Sequence, residues 1–354
     1  MSLESRTSLF LDIDRLDIVA LMMIEGFGPA TTRAHLERIR ADGQSIDDGL
    51  PARDFAEARR TANRHLARAA VIGARCVIPG DDDYPPRLFL LEHPPVALWV
   101  MCDLAVVREP KTVAIVGTRE FTAYGQRVSR SLAGAFVRSG VTVVSGMARG
   151  IDAAAHIATL EAGGKTAAVL GTGVDVPYPA AHRGLHARIR ANGVVISEAP
   201  PGAPAVIGCF PRRNRLIAAL GDATLVVEAG ARSGALNTAE WAEGLGLKVG
   251  VTPGPIDSPA SLGSNLLLRD GAHVVATIED ALALIGISEP GKASIALESP
   301  AELSVWKALD RPAANFDVLC ARTGLPGRVC METVTALELR GIVDCAMTGE
   351  LRRR

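Results

Sequence analysis

The chain has 354 residues, carries a formal net charge of −1 and is 48% hydrophobic, so it is large enough for two or three units with at least one sizeable core. The near-neutral charge excludes attraction to nucleic acid by the molecule as a whole, and any such affinity must rest on a local basic patch. Six cysteines without a C-x-x-C pair exclude a zinc ribbon and a disulfide framework of the secreted type. With no signal-peptide pattern and no apolar run of about 18 residues, a cytoplasmic protein is expected.

Two apolar-periodic runs lie between residues 16 and 39 and are interrupted by Gly26, Phe27, Gly28 and Pro29. This pattern predicts a helix, a tight turn and a second helix. Such a hairpin can offer backbone N–H groups to a DNA phosphate, or it can be a plain helical packing unit, and the sequence leaves both interpretations open. We assign residues 1–80 to an N-terminal helical module of the SAM or helix-hairpin-helix kind. The proline-punctuated residues 81–110 are predicted to be a linker.

Six short β-branched runs follow from Lys111, and each is succeeded by a glycine-containing loop and a helical stretch. The runs are TVAIVGT, VTVVSG, TAAVLGTG, GVVISEA, ATLVVEAG and KVGVTPG. Continuous apolar strands that alternate with helices predict an α/β fold whose parallel sheet is covered on both faces. Ligands of such sheets bind at the carboxyl ends of the strands, where the strand order reverses. We therefore place this domain at residues 111–287 and expect one crevice to collect the loops after the first five runs.

The C-terminal region begins with a predicted linker at residues 288–300. Residues 301–354 contain three stretches with the length and caps of short helices, then a predicted hairpin that turns at Thr348 and Gly349. Three helices and a hairpin predict a winged-helix-like domain. Its recognition helix would lie near residues 326–339, where Arg328 is the one basic residue, so contact with a protein is favoured over reading of a DNA groove.

Signatures of catalysis and of cofactor binding are missing from the loops of the predicted sheet. None contains the G-x-G-x-x-G fingerprint of dinucleotide binding or a Walker lysine. His182 and His186 have the spacing of metal ligands on a helix, but no third ligand lies near them in the sequence. We expect no cofactor, no metal ion and no catalytic residue.

The loop SGMARGID after the second predicted strand suits a phosphate, because its small residues let the backbone approach and a helix N-terminus follows. Ser145 and Gly146 are the small residues, Arg149 adds a positive charge, and Asp152 can cap the helix. Arg119, in GTRE after the first strand, is expected one strand away. Structural roles stay open for two of these residues, with Asp152 as a cap alone and Arg119 as the partner of an acid.

The segment CFPRRNRLIAAL, residues 209–220, concentrates charge and an aromatic ring at the start of a predicted helix. Burying the guanidinium groups of Arg212, Arg213 and Arg215 without partners is too costly, so several are expected to face solvent or an anion. A ring beside forked cations favours single-stranded nucleic acid, since bases stack on Phe210 whatever their sequence. The alternative is a core position for Phe210 with surface arginines around it.

The motifs VAIVGTRE, VVSGMARGIDAAAH, GTGVDVPYP, ISEAPPG, FPRRNRLIAAL and VVEAGARSGALNTA, in this order along residues 111–285, resemble the DNA-processing protein A family of bacteria, also called DprA or Smf. The resemblance implies an extended Rossmann-like domain that binds single-stranded DNA without catalysis, forms a homodimer and helps to load the RecA recombinase in natural transformation. The DNA-binding positions that it implies are Gly117, Arg119, Ser145, Gly146, Arg149, Phe210, Arg212, Arg213, Asn214, Arg215, Ser233 and Gly234.

Two positions depart from the family pattern, since relatives carry lysines where this chain has Ile207 and Ala180. Arg183 and Arg213 are candidates to replace the lost charges, and without such replacement weaker DNA binding is expected. An enzyme stays open as the alternative, because the same sheet resembles phosphoribohydrolases that cleave nucleoside monophosphates. Glu228 and Glu240 would then supply acid and base. Those enzymes show a Pro-Gly-Gly-x-Gly-Thr segment, which GARSGALNTAE matches poorly.

Overall fold

The computed structural model describes residues 9–10, 13–287, 297, 299–340, 342–346 and 349–353. The chain divides into two compact units, residues 1–287 and residues 288–354. Most of the predicted linker at residues 288–300 lies outside the described residues, as does Thr348 of the predicted hairpin turn.

A nine-stranded sheet forms the centre of the larger unit, with the order β1-β2-β6-β5-β4-β3-β7-β8-β9. Its strands are β1 (Ala74–Val77), β2 (Leu98–Cys102), β3 (Thr112–Val116), β4 (Thr142–Ser145), β5 (Thr166–Leu170), β6 (Val194–Ser197), β7 (Ala223–Val226), β8 (Lys248–Val251) and β9 (His273–Val274). Strands β3 to β9 are parallel to their neighbours, and β1 and β2 are antiparallel at one edge. The predicted α/β fold with a parallel sheet is confirmed.

Helices cover both faces of this sheet. They are α1 (Arg15–Leu21), α2 (Pro29–Asp42), α3 (Ala52–Val71), α4 (Ala105–Arg108), α5 (Ala123–Arg138), α6 (Ile151–Glu161), α7 (Arg183–Asn192), α8 (Cys209–Leu220), α9 (Gly234–Gly244), α10 (Leu262–Arg269) and α11 (Ile278–Leu284), with short 3-10 helices at Pro86–Leu90, Ala180–His182 and Pro259–Ser261. Strands β3 to β7 are buried along their whole length, which explains why their sequences are continuously apolar instead of alternating.

The strand order reverses between β3 and β7. From β3 the chain builds the sheet outward through β4, β5 and β6, and then returns to place β7 on the other side of β3. The loops that leave β3 and β7 at their carboxyl ends therefore diverge to opposite faces of the sheet. A crevice opens between them, which is the usual ligand position in doubly wound sheets.

The segment predicted as a linker, residues 81–110, is part of the sheet unit. It contains β2, which pairs with both β1 and β6, and Leu98 and Trp99 of this strand are almost wholly buried. Its prolines lie outside the strand, in and around the 3-10 helix Pro86–Leu90 and the turn that follows. Proline punctuation therefore marks turns on the edge of the sheet and does not mark a domain boundary.

The N-terminal helices pack on the same unit. Ile18 and Leu21 of α1 belong to one buried cluster with Trp99 of β2 and Val195 of β6. The predicted helix, turn and helix are present, with the turn at Gly26–Pro29 between α1 and α2. The module at residues 1–80 is thus continuous with the core of the sheet unit.

The two histidines with metal-ligand spacing point to backbone carbonyl groups. His182 Nδ1 lies 3.0 Å from the carbonyl oxygen of Met147, and His186 Nε2 lies 2.8 Å from that of Val174. Among the described residues there is no cluster of three potential metal ligands. No described helix is both long and apolar enough to cross a bilayer.

Within its described residues, the smaller unit has three helices, α12 (Pro300–Ala308), α13 (Phe316–Thr323) and α14 (Gly327–Leu339), followed by the antiparallel strands β10 (Val343–Cys345) and β11 (Leu351–Arg353). Val305, Leu319 and Leu337 form its fully buried centre. The Nε atom of Arg328 lies 2.9 Å from the carboxylate of Glu332 one turn along α14. The basic residue of the predicted recognition helix is thus already paired.

Candidate nucleic-acid interface

A pocket of about 560 Å³ opens at the crevice between β3 and β7. Its walls come from the loop after β3, the loop after β7 and the first turns of α8, and they include Thr118, Arg119, Phe210, Asn214 and Arg232. An adjoining pocket of about 290 Å³ shares Arg119 and Phe210 with it and adds Arg149 and Tyr178. The two pockets form one concave surface, which we call the switch-point pocket. Loops from β3, β4, β5 and β7 contribute to it, as the sequence predicted for the crevice.

Phe210 lies between these pockets with part of its ring exposed. The ring of Tyr178 is centred 5.0 Å from that of Phe210 with an interplanar angle of 33°, and the guanidinium carbon of Arg119 lies 5.9 Å from the centre of the Phe210 ring. Behind the ring, a Cβ atom added to Gly171 would lie 3.0 Å from it, so this side is closely packed. The alternative that Phe210 is a core residue is therefore wrong, because the ring lines both pockets.

The start of α8 explains why the ring projects into the pocket. Gly208 precedes the helix in the left-handed region, with φ of 87°, and Pro211 stands in the first turn, where its missing N–H costs no helical hydrogen bond. Cys209 is buried and anchors this turn against the sheet. The helix therefore begins abruptly, and Phe210 is held at its open end beside the loops after β3 and β5.

Three arginines around Phe210 are exposed and have no protein acceptor within the described part of the chain. Arg119 follows β3, Arg149 belongs to the loop after β4, and Arg232 belongs to the loop after β7. Three separate strand ends thus supply cations to one surface. Arg232 and Tyr178 were not predicted as site residues, although both stand in motifs that the sequence singled out.

Arg213 is almost wholly buried at the base of this surface. It is 6% exposed, and its guanidinium group donates hydrogen bonds to the carbonyl oxygens of Gly146 and Val169. Burial lowers its pKa to about 10, so the side chain keeps its charge at neutral pH. Arg213 thus holds the loop after β4 against the end of β5. Arg213 also lines both pockets, so its predicted DNA contact stays a prediction, although its guanidinium group is already hydrogen-bonded within the protein.

Arg215 is removed from the pocket. Its guanidinium group pairs with the carboxylate of Glu198, both side chains are 10% exposed, and it donates a second hydrogen bond, of 3.1 Å, to the carbonyl oxygen of His93. Arg215 therefore fixes α8 to the segments around it, and its prediction as a DNA contact is corrected. Arg212 is exposed but lies on another side of the helix, beside a separate cleft.

The predicted small residues are mostly packing positions. Ser145 is fully buried and donates a 2.6 Å hydrogen bond to the carbonyl oxygen of Ile115. A Cβ atom on Gly146 would come within 2.6 Å of the Arg213 guanidinium, and one on Gly117 would come within 2.9 Å of the Glu228 carbonyl oxygen. These residues let side chains and backbone approach inside the protein. Ser145 is thus a packing residue and not a DNA contact, whereas Gly117 and Gly146 line the switch-point pocket and their DNA contacts stay a prediction.

Asp152 braces the loop that carries Arg149. Its carboxylate accepts hydrogen bonds from the backbone N–H groups of Gly146, at 3.1 Å, and Ala148, at 3.4 Å. Burial raises the pKa of this carboxyl group, while nearby Arg213 acts in the opposite direction. The helix cap predicted for Asp152 is not formed, because Gly150 is the N-cap of α6, and the carboxylate holds the preceding loop instead.

The remaining predicted residues line the pocket in different ways. Asn214 is 9% exposed at its floor, where the side-chain amide donates to the Gly234 carbonyl oxygen over 3.3 Å. Ser233 caps α9, accepting a 3.3 Å hydrogen bond from the Ala235 N–H, and Gly234 is exposed at the rim. These positions are uncharged and shape the pocket.

The positions that depart from the family pattern carry no positive charge at the pocket. Ile207 is fully exposed just before α8, and Ala180 is exposed after Tyr178. Arg183 is exposed at the start of α7 but does not line the switch-point pocket. Arg149 and Arg232 are therefore exposed cations of the pocket that could replace the lost lysines, whereas Arg183 lies outside it.

The acid and base of the enzyme alternative are not placed for catalysis. Glu228 is 3% exposed, and its carboxylate accepts hydrogen bonds from the N–H and hydroxyl of Thr122 at 2.9 and 2.8 Å. Glu240 is exposed on α9, and neither glutamate lines the pocket. Two carboxylates that do not face a common cavity cannot act together on a bound nucleotide, so this pair does not support the phosphoribohydrolase interpretation.

The chain is thus a Rossmann-like protein whose switch-point pocket offers arginine side chains and stacked rings. It belongs to the DNA recombination-mediator protein A family, whose sequence profile matches residues 75–286. The match begins inside β1, so it includes the edge strands that we had assigned to the helical module and the linker.

Relatives and solved structures agree with this membership. A Mycobacterium tuberculosis protein that carries the name DNA processing protein DprA is 41% identical over 294 residues, which span 77% of this chain and 75% of that protein. The X-ray structure of DprA from Streptococcus pneumoniae superposes with a TM-score of 0.68 at 33% identity and covers 77% of this chain and 98% of its own. A DprA structure from Helicobacter pylori, described for its single-stranded DNA binding mode, has a TM-score of 0.55 at 28% identity and covers 59% and 94%.

Proposed function

We propose that this protein binds single-stranded DNA without sequence preference at the switch-point pocket. The observation that carries the proposal is the half-exposed ring of Phe210, with the Tyr178 ring 5.0 Å away and the Arg119 guanidinium 5.9 Å away. An unpaired base offers a flat face that stacks on such a ring. The phosphates on either side of that base would reach Arg119, Arg149 and Arg232. The description of the Helicobacter pylori relative supports this use of the pocket.

The chemistry of the pocket also accounts for the lack of sequence preference. Stacking depends on the face that all bases share, and guanidinium groups bind phosphates, which carry no sequence information. A duplex is a poor ligand here, because its bases are already stacked on one another and cannot reach a ring inside a concave pocket. We therefore propose a preference for single strands over duplexes.

We further propose that the bound strand is passed to the RecA recombinase in the course of DNA uptake, and that the protein acts as a homodimer without catalysing a reaction. Membership of a recombination-mediator family supports this role. The pocket holds DNA by stacking and by ion pairs that need no covalent step, which suits a strand that must later be released. RecA filament formation on single-stranded DNA should accelerate when the protein is present.

The substitution Arg119→Ala tests the binding site. We expect the affinity for oligothymidylate to fall about tenfold, because a charge-assisted contact contributes about 1.5 kcal/mol at the lower end. Fluorescence anisotropy with a labelled oligonucleotide measures the change. Arg188→Ala is the matched control, since Arg188 is equally exposed on α7 but does not line the pocket. Equal affinities for the two variants and the unmodified protein would overturn the proposal.

A further inference from the structure

A second cleft lies beside the start of α8, away from the switch-point pocket. It measures about 170 Å³ and lies between the turn that joins α1 to α2 and the strand β2. Met22, Met23 and Phe27 of the turn form one wall, and Trp99 belongs to the other. Glu198 and Arg212 stand at its edge together with Ala199 and Pro200. We call this space the hairpin cleft.

A small depression lies between the hairpin cleft and the switch-point pocket and shares lining residues with both. It is lined by Gly171, Cys209, Arg213, Glu198 and Arg212. Arg213 also lines the switch-point pocket, and Gly171 packs against the Phe210 ring, whereas Glu198 and Arg212 also line the hairpin cleft. The switch-point pocket and the hairpin cleft therefore flank the first turn of α8, with a depression of about 10 Å³ between them.

The charge beside the hairpin cleft suits a polyanion. Arg212 is exposed, and within the described ranges its guanidinium group has no hydrogen-bonded or ion-paired partner. The acidic group nearest to it, Glu198, is already paired with Arg215. The guanidinium group of Arg212 is therefore not engaged in an ion pair within the described ranges. It stands between the hairpin cleft and the switch-point pocket, where the sugar-phosphate chain of a strand crossing the first turn of α8 would pass.

The apolar wall of the hairpin cleft is held in position. The hydroxyl of Thr32 contacts the sulfur of Met22 at 3.5 Å, and the ring of Phe27 packs edge-on against His35 with a centroid distance of 5.8 Å and an angle of 74°. Trp99 is almost completely buried, so the floor of the cleft is rigid. Side chains fixed in this way lose little conformational entropy when a flat ligand binds.

We propose that the hairpin cleft is a second base-binding subsite for the strand that occupies the switch-point pocket, with Arg212 holding a phosphate between the two. This inference rests on the proposed single-strand binding. Pockets for drug-sized ligands measure roughly 300–1,000 Å³, so a cleft of about 170 Å³ suits a single base. Thioether and aromatic groups give that base apolar and stacking contacts on its faces. The helical hairpin thus takes part in DNA binding through its side chains.

Photo-crosslinking of the full-length protein tests the subsite. Oligothymidylates carrying one iododeoxyuridine at successive positions are bound, irradiated and digested, and the crosslinked peptides are identified. We expect two groups of crosslinks, one at Phe210 or Tyr178 and one at Phe27 or Trp99, from bases at different positions of the same strand. In a parallel titration, Arg212→Ala is expected to weaken binding of a long oligothymidylate about tenfold, with Arg188→Ala as the unchanged control.

The outcomes separate this inference from the proposed function. Crosslinks at Phe210 or Tyr178 alone, with Arg212→Ala no weaker than Arg188→Ala, would overturn the second subsite and leave single-strand binding at the switch-point pocket intact. Failure of the unmodified protein to bind or crosslink the oligonucleotide would overturn both.

Discussion

Replacing Phe210 by alanine is expected to weaken binding of single-stranded DNA by about 5- to 150-fold. This range follows from the roughly 1–3 kcal/mol that stacking of one base on an aromatic side chain contributes. The ring also orders its surroundings, since Tyr178 stacks against it and Arg119 lies over it. Its removal therefore takes away the stacking surface and loosens the cation beside it. Fluorescence anisotropy of a labelled oligothymidylate measures the loss.

The control for Phe210→Ala is Trp241→Ala, which removes an aromatic side chain that is 39% exposed on α9 and does not line the switch-point pocket. Phe210→Trp should retain binding, because any flat ring can stack on a base. If Phe210→Ala bound as tightly as Trp241→Ala, the ring would have no part in binding and the proposed site would be wrong.

The substitution Arg215→Met is expected to destabilise the folded protein by about 3–5 kcal/mol. Its guanidinium group is paired with Glu198 in surroundings where both side chains are 10% exposed. Removal of one member of a buried ion pair leaves the other charge without compensation, which costs far more than the pair itself contributes. Urea unfolding followed by circular dichroism measures the change in the free energy of unfolding.

Two further variants serve as controls for the unfolding measurement on Arg215→Met. Arg130→Met breaks the exposed pair between Arg130 and Glu161, whose side chains are 50% and 45% exposed, and should cost less than about 1 kcal/mol. The double variant Arg215→Met with Glu198→Met should recover most of the loss, because no unpaired charge remains. If Arg215→Met unfolded like Arg130→Met but failed to bind DNA, Arg215 would be a ligand contact and our assignment of a structural role would be contradicted.

The parallel part of the sheet could be predicted from the sequence because burial on both faces leaves a continuous apolar run. Strands β3 to β8 all correspond to such runs, and the position of the pocket follows from the glycine-containing loops after them. Strands β1 and β2 were missed because four or five residues flanked by prolines and charged residues resemble a connecting segment. Strand β2 forms by pairing with β6, which is distant in the sequence, and β1 forms by pairing with β2.

The positions of the arginines of α8 could not be predicted from the sequence. Burying an unpaired guanidinium group is costly, and Arg212 is exposed as this cost predicts. Arg213 and Arg215 are nevertheless buried, because each has partners that the sequence does not reveal. Gly146 and Val169 supply carbonyl acceptors to Arg213, and Glu198 pairs with Arg215. Successive residues of an α-helix point about 100° apart, so these three side chains had to leave the helix in different directions.

The role of Arg232 became visible only when distant loops were brought together. In the sequence it stands between small residues after β7, and nothing nearby indicates that Arg119 and Phe210 share its pocket. Tyr178 was likewise noted only as part of a Tyr-Pro pair, although its ring packs against Phe210. A site assembled from several strand ends is fixed by topology, which short motifs do not encode.

The affinity of the full-length protein for an oligothymidylate and for a duplex of equal length, measured across a salt series, tests the central claim most directly. Phosphate contacts by Arg119, Arg149, Arg212 and Arg232 predict that the logarithm of the binding constant falls with the logarithm of salt concentration with a slope of about −3 for the single strand. The single strand should also bind more tightly than the duplex at every salt concentration. Equal affinity for both forms, or a slope near zero, would contradict a binding site made of exposed arginines around the Phe210 ring.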